Sequence, residues 1–275
     1  MKILKKIMIP VLLFCLLLGS SQGEDALAAT GELRGKNGWI FYWTAGGGST
    51  IADYVGDRHY TKARLKQTAD NILRFKAAVE KKGAKFVLMM PSNKEVIYSN
   101  FMPASVKRKS TYNRYDQLYD YLEANTDLDI CYPKAELLRQ RDHYSGKFTL
   151  YYPTDSHWNR LGQYVGVQEL LNVTDGKKTS IREKKFKVVS KYRGSDHHHM
   201  ITPVKKIEKS NNRIFLIGDS FSDCLQPMAK RYYKSVRQCW YDRFHMSMVK
   251  KGEIVVWECI ERFQDRFAMV NMAAR

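Results

Sequence analysis

The chain has 275 residues, and its 46 lysines and arginines against 28 acidic residues leave a formal charge of +18. From Ala29 onward the length is about one and a half times the usual domain size, which allows one α/β domain that buries a full core without staples. So basic a chain suits nucleic acid, an anionic membrane surface or an anionic cell-wall polymer; an export signal and the lack of any recognition motif argue against nucleic acid.

Met1-Lys2-Ile3-Leu4-Lys5-Lys6 is a basic leader, and Ile7 to Leu18 is an apolar run interrupted only by Pro10. Ala26-Leu27-Ala28 offers a small-residue cleavage site. Residues 1–28 therefore read as a signal peptide, with residues 29–275 as the exported domain. The apolar run is shorter than the roughly 20 residues of a comfortable span. An uncleaved anchor over residues 7–19 is the second reading. Cys15 lies inside the apolar run and does not fit a lipoprotein site.

Beyond the leader, helical spacing predicts a helix over Lys62–Lys82 ended by Gly83, then a buried strand over Lys85–Met90. A helix over Tyr112–Ala124, a strand over Leu128–Cys131 and a helix over Lys134–Gln140 follow. Trp158–Leu171 reads as a helix and Ile181–Lys191 as an edge strand or hairpin. Arg213–Ile217, Val236–Trp240 and Ile254–Trp257 supply further strands. The alternation predicts a mainly parallel sheet covered on both faces. Cys131, Cys224, Cys239 and Cys259 read as free thiols that fit no zinc spacing, with Cys224–Cys239 the pair to test. The run Asp196-His197-His198-His199 reads as a loop with incidental histidines, because adjacent imidazoles cannot easily converge on one ion. No metal or cofactor is expected.

Two distant segments carry chemistry. In Leu216-Ile217-Gly218-Asp219-Ser220-Phe221-Ser222, an apolar strand reaches Gly-Asp-Ser where the chain should turn. Ser222 or Asp223 would cap the following helix. Ser220 then lies between the carboxyl end of a strand and a helix N-terminus, where open α/β sheets bind ligands and free N–H groups can hold an oxyanion. In Tyr151-Tyr152-Pro153-Thr154-Asp155-Ser156-His157-Trp158-Asn159, Asp155 and His157 sit on the loop entering a helix. Together the segments supply a hydroxyl, an imidazole and a carboxylate. The plainer readings stand beside this one. Gly-Asp-Ser is a common turn, Asp155 or Ser156 suits a helix cap, and a histidine beside a tryptophan often only packs.

With Gly35-Lys36-Asn37-Gly38-Trp39-Ile40-Phe41, Val87-Leu88-Met89-Met90-Pro91-Ser92-Asn93-Lys94 and Trp257-Glu258-Cys259-Ile260-Glu261-Arg262 in the same order and spacing, the chain resembles the alginate and cellulose O-acetyltransferase family. These are exported SGNH-hydrolase-like proteins of exopolysaccharide modification. The resemblance implies a three-layer α/β sandwich with circularly permuted triad order. It assigns Ser220 as nucleophile, His157 as base and Asp155 as orienting acid. It also implies an exported polysaccharide acceptor and a membrane-bound O-acyltransferase as acetyl donor, at the periplasmic or extracytoplasmic face of the membrane. An anionic membrane or cell-wall surface is a further expected partner. Arg243 and Tyr241 are candidates for the oxyanion site, a solvated charge and a packed ring being the alternatives. Asn93 and Lys94, after a strand's carboxyl end, are candidates for facing the cleft; for Lys94 a salt bridge or structural loop contact is equally open. Little sequence follows the last strand, so any glycan contact falls to the catalytic face. The competing functions are a secreted carbohydrate esterase, acyl transfer to a teichoic-acid-like polymer, and a non-catalytic scaffold for a membrane acyltransferase.

Overall fold

A computed structural model describes residues 31–43, 50–176, 186–193, 196–203 and 208–275. The leader at residues 1–28, including the anchor reading for 7–19, lies outside these residues. Among the described residues no helix is long and apolar enough to cross a membrane.

The chain opens with a small antiparallel pair, β1 (Glu32–Arg34) and β2 (Ile40–Tyr42), followed by α1 (Thr50–Val55) and α2 (Lys62–Lys81). Thr61 starts α2 by accepting the Arg64 N–H on its hydroxyl, as a cap should. Then come β3 (Lys85–Met89), the single turn α3 (Lys94–Ile97), α4 (Arg114–Asn125), β4 (Ile130–Cys131) and α5 (Lys134–His143). A full capping box of Asn113 and Asp116 begins α4. The second half holds α6 (Arg160–Asp175), the hairpin β5 (Phe186–Arg193) and β6 (Asp196–Pro203), then β7 (Ser210–Gly218), α7 (Ser220–Ala229), β8 (Tyr233–Trp240), β9 (Ile254–Glu258) and the short α8 (Arg266–Met269).

Five strands form one sheet in the order β4-β3-β9-β7-β8, and every neighbouring pair is parallel. The mainly parallel sheet expected from the alternation of elements is present. Side chains alternate across it, so each strand feeds two cores. Val87, Met89, Leu216 and Val256 face Trp158, Leu161, Val165 and Leu225 on one side. Phe86, Leu88, Phe215, Ile217, Val255 and Trp257 face Ile72, Phe75, Leu118 and Phe267 on the other. Phe75 meets Phe86, Phe244 and Trp257 edge-on at 5.4–5.5 Å. Fully burying one such side chain contributes roughly 1.5–3 kcal/mol. The result is a three-layer α/β sandwich.

One reading changes, and the free-thiol reading of the cysteines holds. Asp196-His197-His198-His199 lies on β6, not in a loop, because its backbone pairs residue for residue with Lys191–Arg193 and Ser190 of β5. The four cysteines after the leader are free, so Cys224 and Cys239 form no bridge.

Three buried carboxyls gather at the carboxyl edge of the sheet. Glu261 accepts the Asn93 N–H at 2.9 Å and the Asn113 amide at 2.8 Å, tying the end of β9 to the chain after β3 and to the start of α4. Burial pushes Glu261 up to about 8 and Glu95 up to about 7. Glu258, buried beside Asp219, is held well above its ordinary value. A carboxyl raised in the fold keeps its proton while the unfolded chain has lost it. Folding stability therefore falls as pH rises from the unfolded value towards the folded one, by up to about 1.4 kcal/mol per pH unit per group. Melting temperature should drop between pH 5 and pH 8, and Glu95→Gln should flatten the slope; a melting temperature that rises over that interval contradicts the assignment.

Candidate active site

The serine stands on a sharp strand-to-helix turn. The buried run of β7 ends at Gly218, where a Cβ would collide with Ser222 Oγ and a Glu258 carboxylate oxygen. Asp219 follows as the N-cap of α7, its Oδ1 accepting the Phe221 N–H at 3.0 Å. The expected caps Ser222 and Asp223 do not serve, and Ser222 is already committed: its hydroxyl donates to Glu258 Oε2 at 2.8 Å. The same Oε2 accepts the Asp219 N–H at 3.2 Å. Asp219 Oδ2 in turn takes Arg266 Nη1 at 3.2 Å and the Ile260 N–H at 3.4 Å. Ser220 is thereby the first helical residue, and its N–H has no acceptor within the helix.

The histidine stands on a tight hairpin. Tyr151 and Trp158 form an antiparallel bridge, and the Tyr152 N–H donates to the His157 carbonyl at 3.1 Å. Trp158 is fully buried against Phe221, ring to ring at 5.1 Å. The cap of α6 is Asn159, whose side chain accepts the Leu161 and Gly162 N–H groups. Asp155 and Ser156 are therefore not spent as caps.

The two segments meet. His157 Nε2 lies 2.7 Å from Ser220 Oγ, and His157 Nδ1 lies 2.6 Å from Asp155 Oδ1. Asp155 Oδ1 also accepts the His157 backbone N–H at 2.7 Å. Hydrogen bonding from His157 holds the Asp155 carboxyl down at about 2, against partial burial that works the other way. The carboxylate assigns the imidazole proton to Nδ1 and leaves the Nε2 lone pair facing the serine hydroxyl. Such an arrangement can take the proton of Ser220 as its oxygen attacks a carbonyl.

Lys94 organises this loop from behind. It is 1% exposed, so it does not reach into an open cleft. Its ammonium donates to the carbonyls of Tyr152 (3.1 Å), Pro153 (3.0 Å), Asp155 (2.7 Å) and Ile40. It also lies over the Trp39 and Phe41 rings at 5.6 and 5.1 Å. Of the readings open for it, the structural loop contact is the one found. Asn93 is buried as well, and its Oδ1 has no hydrogen-bond partner among the described groups. The Tyr241 N–H donates to the Gly218 carbonyl at 3.0 Å, and the Tyr241 ring lies 4.1 Å under the Arg266 guanidinium. Arg243 is exposed on the turn after β8, and no contact between it and Ser220, His157 or Asp155 is among the described ones.

Sequence reasoning gave no role to Glu258, Asp219 or Arg262. All three lie at the carboxyl edge of β9 and β7, and the rule that open sheets work at that edge could have flagged them. Arg262 Nη2 donates to Ser156 Oγ at 3.4 Å, between the two residues that lead to the serine.

Replacing Lys94 by Met removes the one donor that ties four carbonyls of two segments together, although the Pro153 carbonyl keeps the Ile40 N–H. We expect a loss of about 3–5 kcal/mol in urea unfolding and, at temperatures where the variant stays folded, a roughly 100-fold slower Ser220-dependent ester turnover. Unchanged turnover in a folded variant would show that the loop holds itself.

Comparison with known proteins bears on the fold and the family. The chain is similar in structure to the O-acetyltransferase domain of Pseudomonas putida AlgJ, with a TM-score of 0.53 at 17% identity over 88% of this chain and 94% of that one. It is also similar to Bacillus cereus PatB1, with a TM-score of 0.54 at 12% identity over 86% and 97%. A DHHW family protein from Eubacterium siraeum gives a TM-score of 0.55 at 10% identity over 86% and 91%. At such identities these likenesses speak for the fold alone. No curated protein matches. The sequence model of one family, described as SGNH hydrolase-like domain, acetyltransferase AlgX, matches residues 33–200, a stretch that includes Asp155 and His157 and ends before Ser220. With more than half of its length matched and the sandwich fold in place, the chain belongs to that family.

Proposed function

We propose that the chain is a serine-dependent O-acyltransferase that moves an acetyl group through Ser220 onto hydroxyls of an exported cell-surface polysaccharide. The observation that carries this reading is the unbroken line of hydrogen bonds from Asp155 through His157 to Ser220. The family description, which names an acetyltransferase, and the O-acetyltransferase title of the AlgJ domain support the choice of acyl group.

In the first half-reaction Ser220 Oγ attacks the carbonyl of an acetyl ester, and its proton passes to His157 Nε2. Asp155 stabilises the imidazolium. The tetrahedral oxyanion faces the Ser220 N–H at the head of α7, where the helix end also favours negative charge. His157 then gives its proton to the departing alcohol, leaving acetyl-Ser220. In the second half an acceptor hydroxyl loses its proton to His157 and attacks the acetyl carbonyl, and Ser220 leaves with that proton. Triad geometry and not chain order decides the chemistry, so the order Asp155, His157, Ser220 is no obstacle.

Residues 1–28 serve as the export signal and 29–275 as the catalytic domain. The acetyl donor is a membrane-bound O-acyltransferase, and the basic surface keeps the enzyme near anionic lipid or cell-wall polymer. Hydrolysis is the second reading. The Asp155 side chain is 51% exposed, so the triad lies open to solvent water.

Full-length protein should turn over an aryl acetate and leave acetyl on a glycan acceptor. Ser220→Ala should lose at least about 1,000-fold of that rate. Asp155→Asn keeps the shape but removes the charge and disturbs the tautomer, and should cost about 10,000-fold in kcat. Free acetate alone, with the acceptor ignored, would favour the esterase. Equal rates for Ser220→Ala and the parent protein would remove the triad and favour the binding scaffold.

A further inference from the structure

The turn after β9 places a guanidinium at the triad. Arg262 is partly buried, and its Cζ lies 5.1 Å from the Tyr42 ring centroid, 5.2 Å from that of Phe221 and 5.3 Å from that of Phe263. Phe221 is the residue after the nucleophile, and its ring also contacts the His157 imidazole at 5.1 Å. Arg262 itself donates to Ser156, the residue between Asp155 and His157. Cation, nucleophile and base are thus separated by single residues.

What distinguishes Arg262 is how little of it is used. A guanidinium carries five N–H donors in a planar fork. Among the described residues Arg262 spends one, at 3.4 Å, on a neutral hydroxyl. Among the described residues it has no carboxylate within ion-pair distance. Other buried or half-buried arginines do have one: Arg266 is paired with Asp219, Arg114 with Asp53, and Arg237 with Glu253. Of the two buried carboxyls its charge reaches, Glu258 is held well above its ordinary value and Glu95 is pushed up to about 7, and neither forms an ion pair with it among the described residues. Aromatic faces hold a guanidinium in place while leaving its edges free, and those edges match the two oxygens of a carboxylate or phosphate.

We propose that Arg262 selects the acceptor, binding an anionic group, carboxylate or phosphodiester, on the polymer unit whose hydroxyl receives the acyl group. This rests on the transferase reading above and adds the acceptor's charge to it. The strongly basic charge of the chain, almost all of it outside the leader, draws such a polymer in from a distance, and Arg262 registers it at the acyl-enzyme.

The test uses the full chain and three acceptors of equal length: a neutral glucan oligomer, an oligouronate and a glycerol-phosphate oligomer. Acyl transfer from an aryl acetate is followed at low and high salt for the parent protein, Arg262→Gln, Arg262→Lys and Ser156→Ala. Equilibrium binding of the same oligomers is measured on Ser220→Ala with and without Arg262→Gln. The proposal expects at least a tenfold lower KM for one anionic oligomer than for the neutral one, weakened by salt. Arg262→Gln should bring that ratio close to one with a smaller change in kcat, and Arg262→Lys should recover part of it. The anionic oligomer that shows the preference tells carboxylate from phosphodiester. Three results overturn the proposal: no preference for either anionic oligomer in the parent protein, an equal fall in kcat on all three acceptors in Arg262→Gln, or a Ser156→Ala variant that reproduces the whole loss, which makes Arg262 a prop for the loop. Failure of the transferase reading shows separately, as aryl acetate turnover that ignores Ser220, and the binding arm still decides whether Arg262 prefers an anion.

Discussion

The catalytic loop hangs on one buried ammonium. Lys94 leaves β3 at its carboxyl end and turns its head group into the carbonyls of Tyr152, Pro153 and Asp155, with Ile40 of β2 on its other side. An ammonium with no water around it costs several kcal/mol unless its donors are met. Here carbonyl dipoles and two ring faces meet them. The consequence is positional: the hairpin cannot drift without stripping the cation. Since Asp155 is among the residues held, its carboxylate stays where His157 Nδ1 finds it. The positive charge also works with the hydrogen bonds from His157 to keep Asp155 ionised.

The serine side is held by the opposite device, a buried acid. Glu258 ends β9 directly behind the turn and gathers the Asp219 N–H and the Ser222 hydroxyl on one oxygen. That frees Asp219 to cap α7 and to draw in Arg266. Glycine at 218 follows from the crowding, because nothing larger fits beside Ser222 and Glu258. A lysine behind one half of the site and a glutamate behind the other bring β3, β7 and β9 into a single support. Their parallel register makes all three strands end at the same edge.

Much of this was legible in the sequence. Strong apolar runs such as Arg213–Ile217 and Ile254–Trp257 and the helical spacing of Lys62–Lys82 give their elements within a few residues, because burial on both sheet faces leaves little choice of residue type. Boundaries slipped where a side chain was already engaged: Ser222 looked like a cap but bonds Glu258, and Asp219 caps in its place. Lys94 was placed at the correct strand end, but nothing in the order of residues says whether a lysine there faces water or carbonyls. The histidine run carried no periodic apolar signal, so its strand depends on pairing with β5, which sequence spacing does not reveal. Arg262 was visible only as part of a familiar ending. Its place beside His157 comes from the chain returning to the same sheet edge after more than 100 residues.

The central claim is that Ser220 is the activated nucleophile. Intact-mass measurement after treatment with an arylsulfonyl fluoride, followed by peptide mapping, tests it directly, since only a hydroxyl activated by a neighbouring base should be labelled rapidly. The account predicts one adduct per chain on Ser220, absent from Ser220→Ala and formed far more slowly in His157→Ala. Labelling elsewhere with Ser220 left bare, or a labelling rate indifferent to His157, would contradict it.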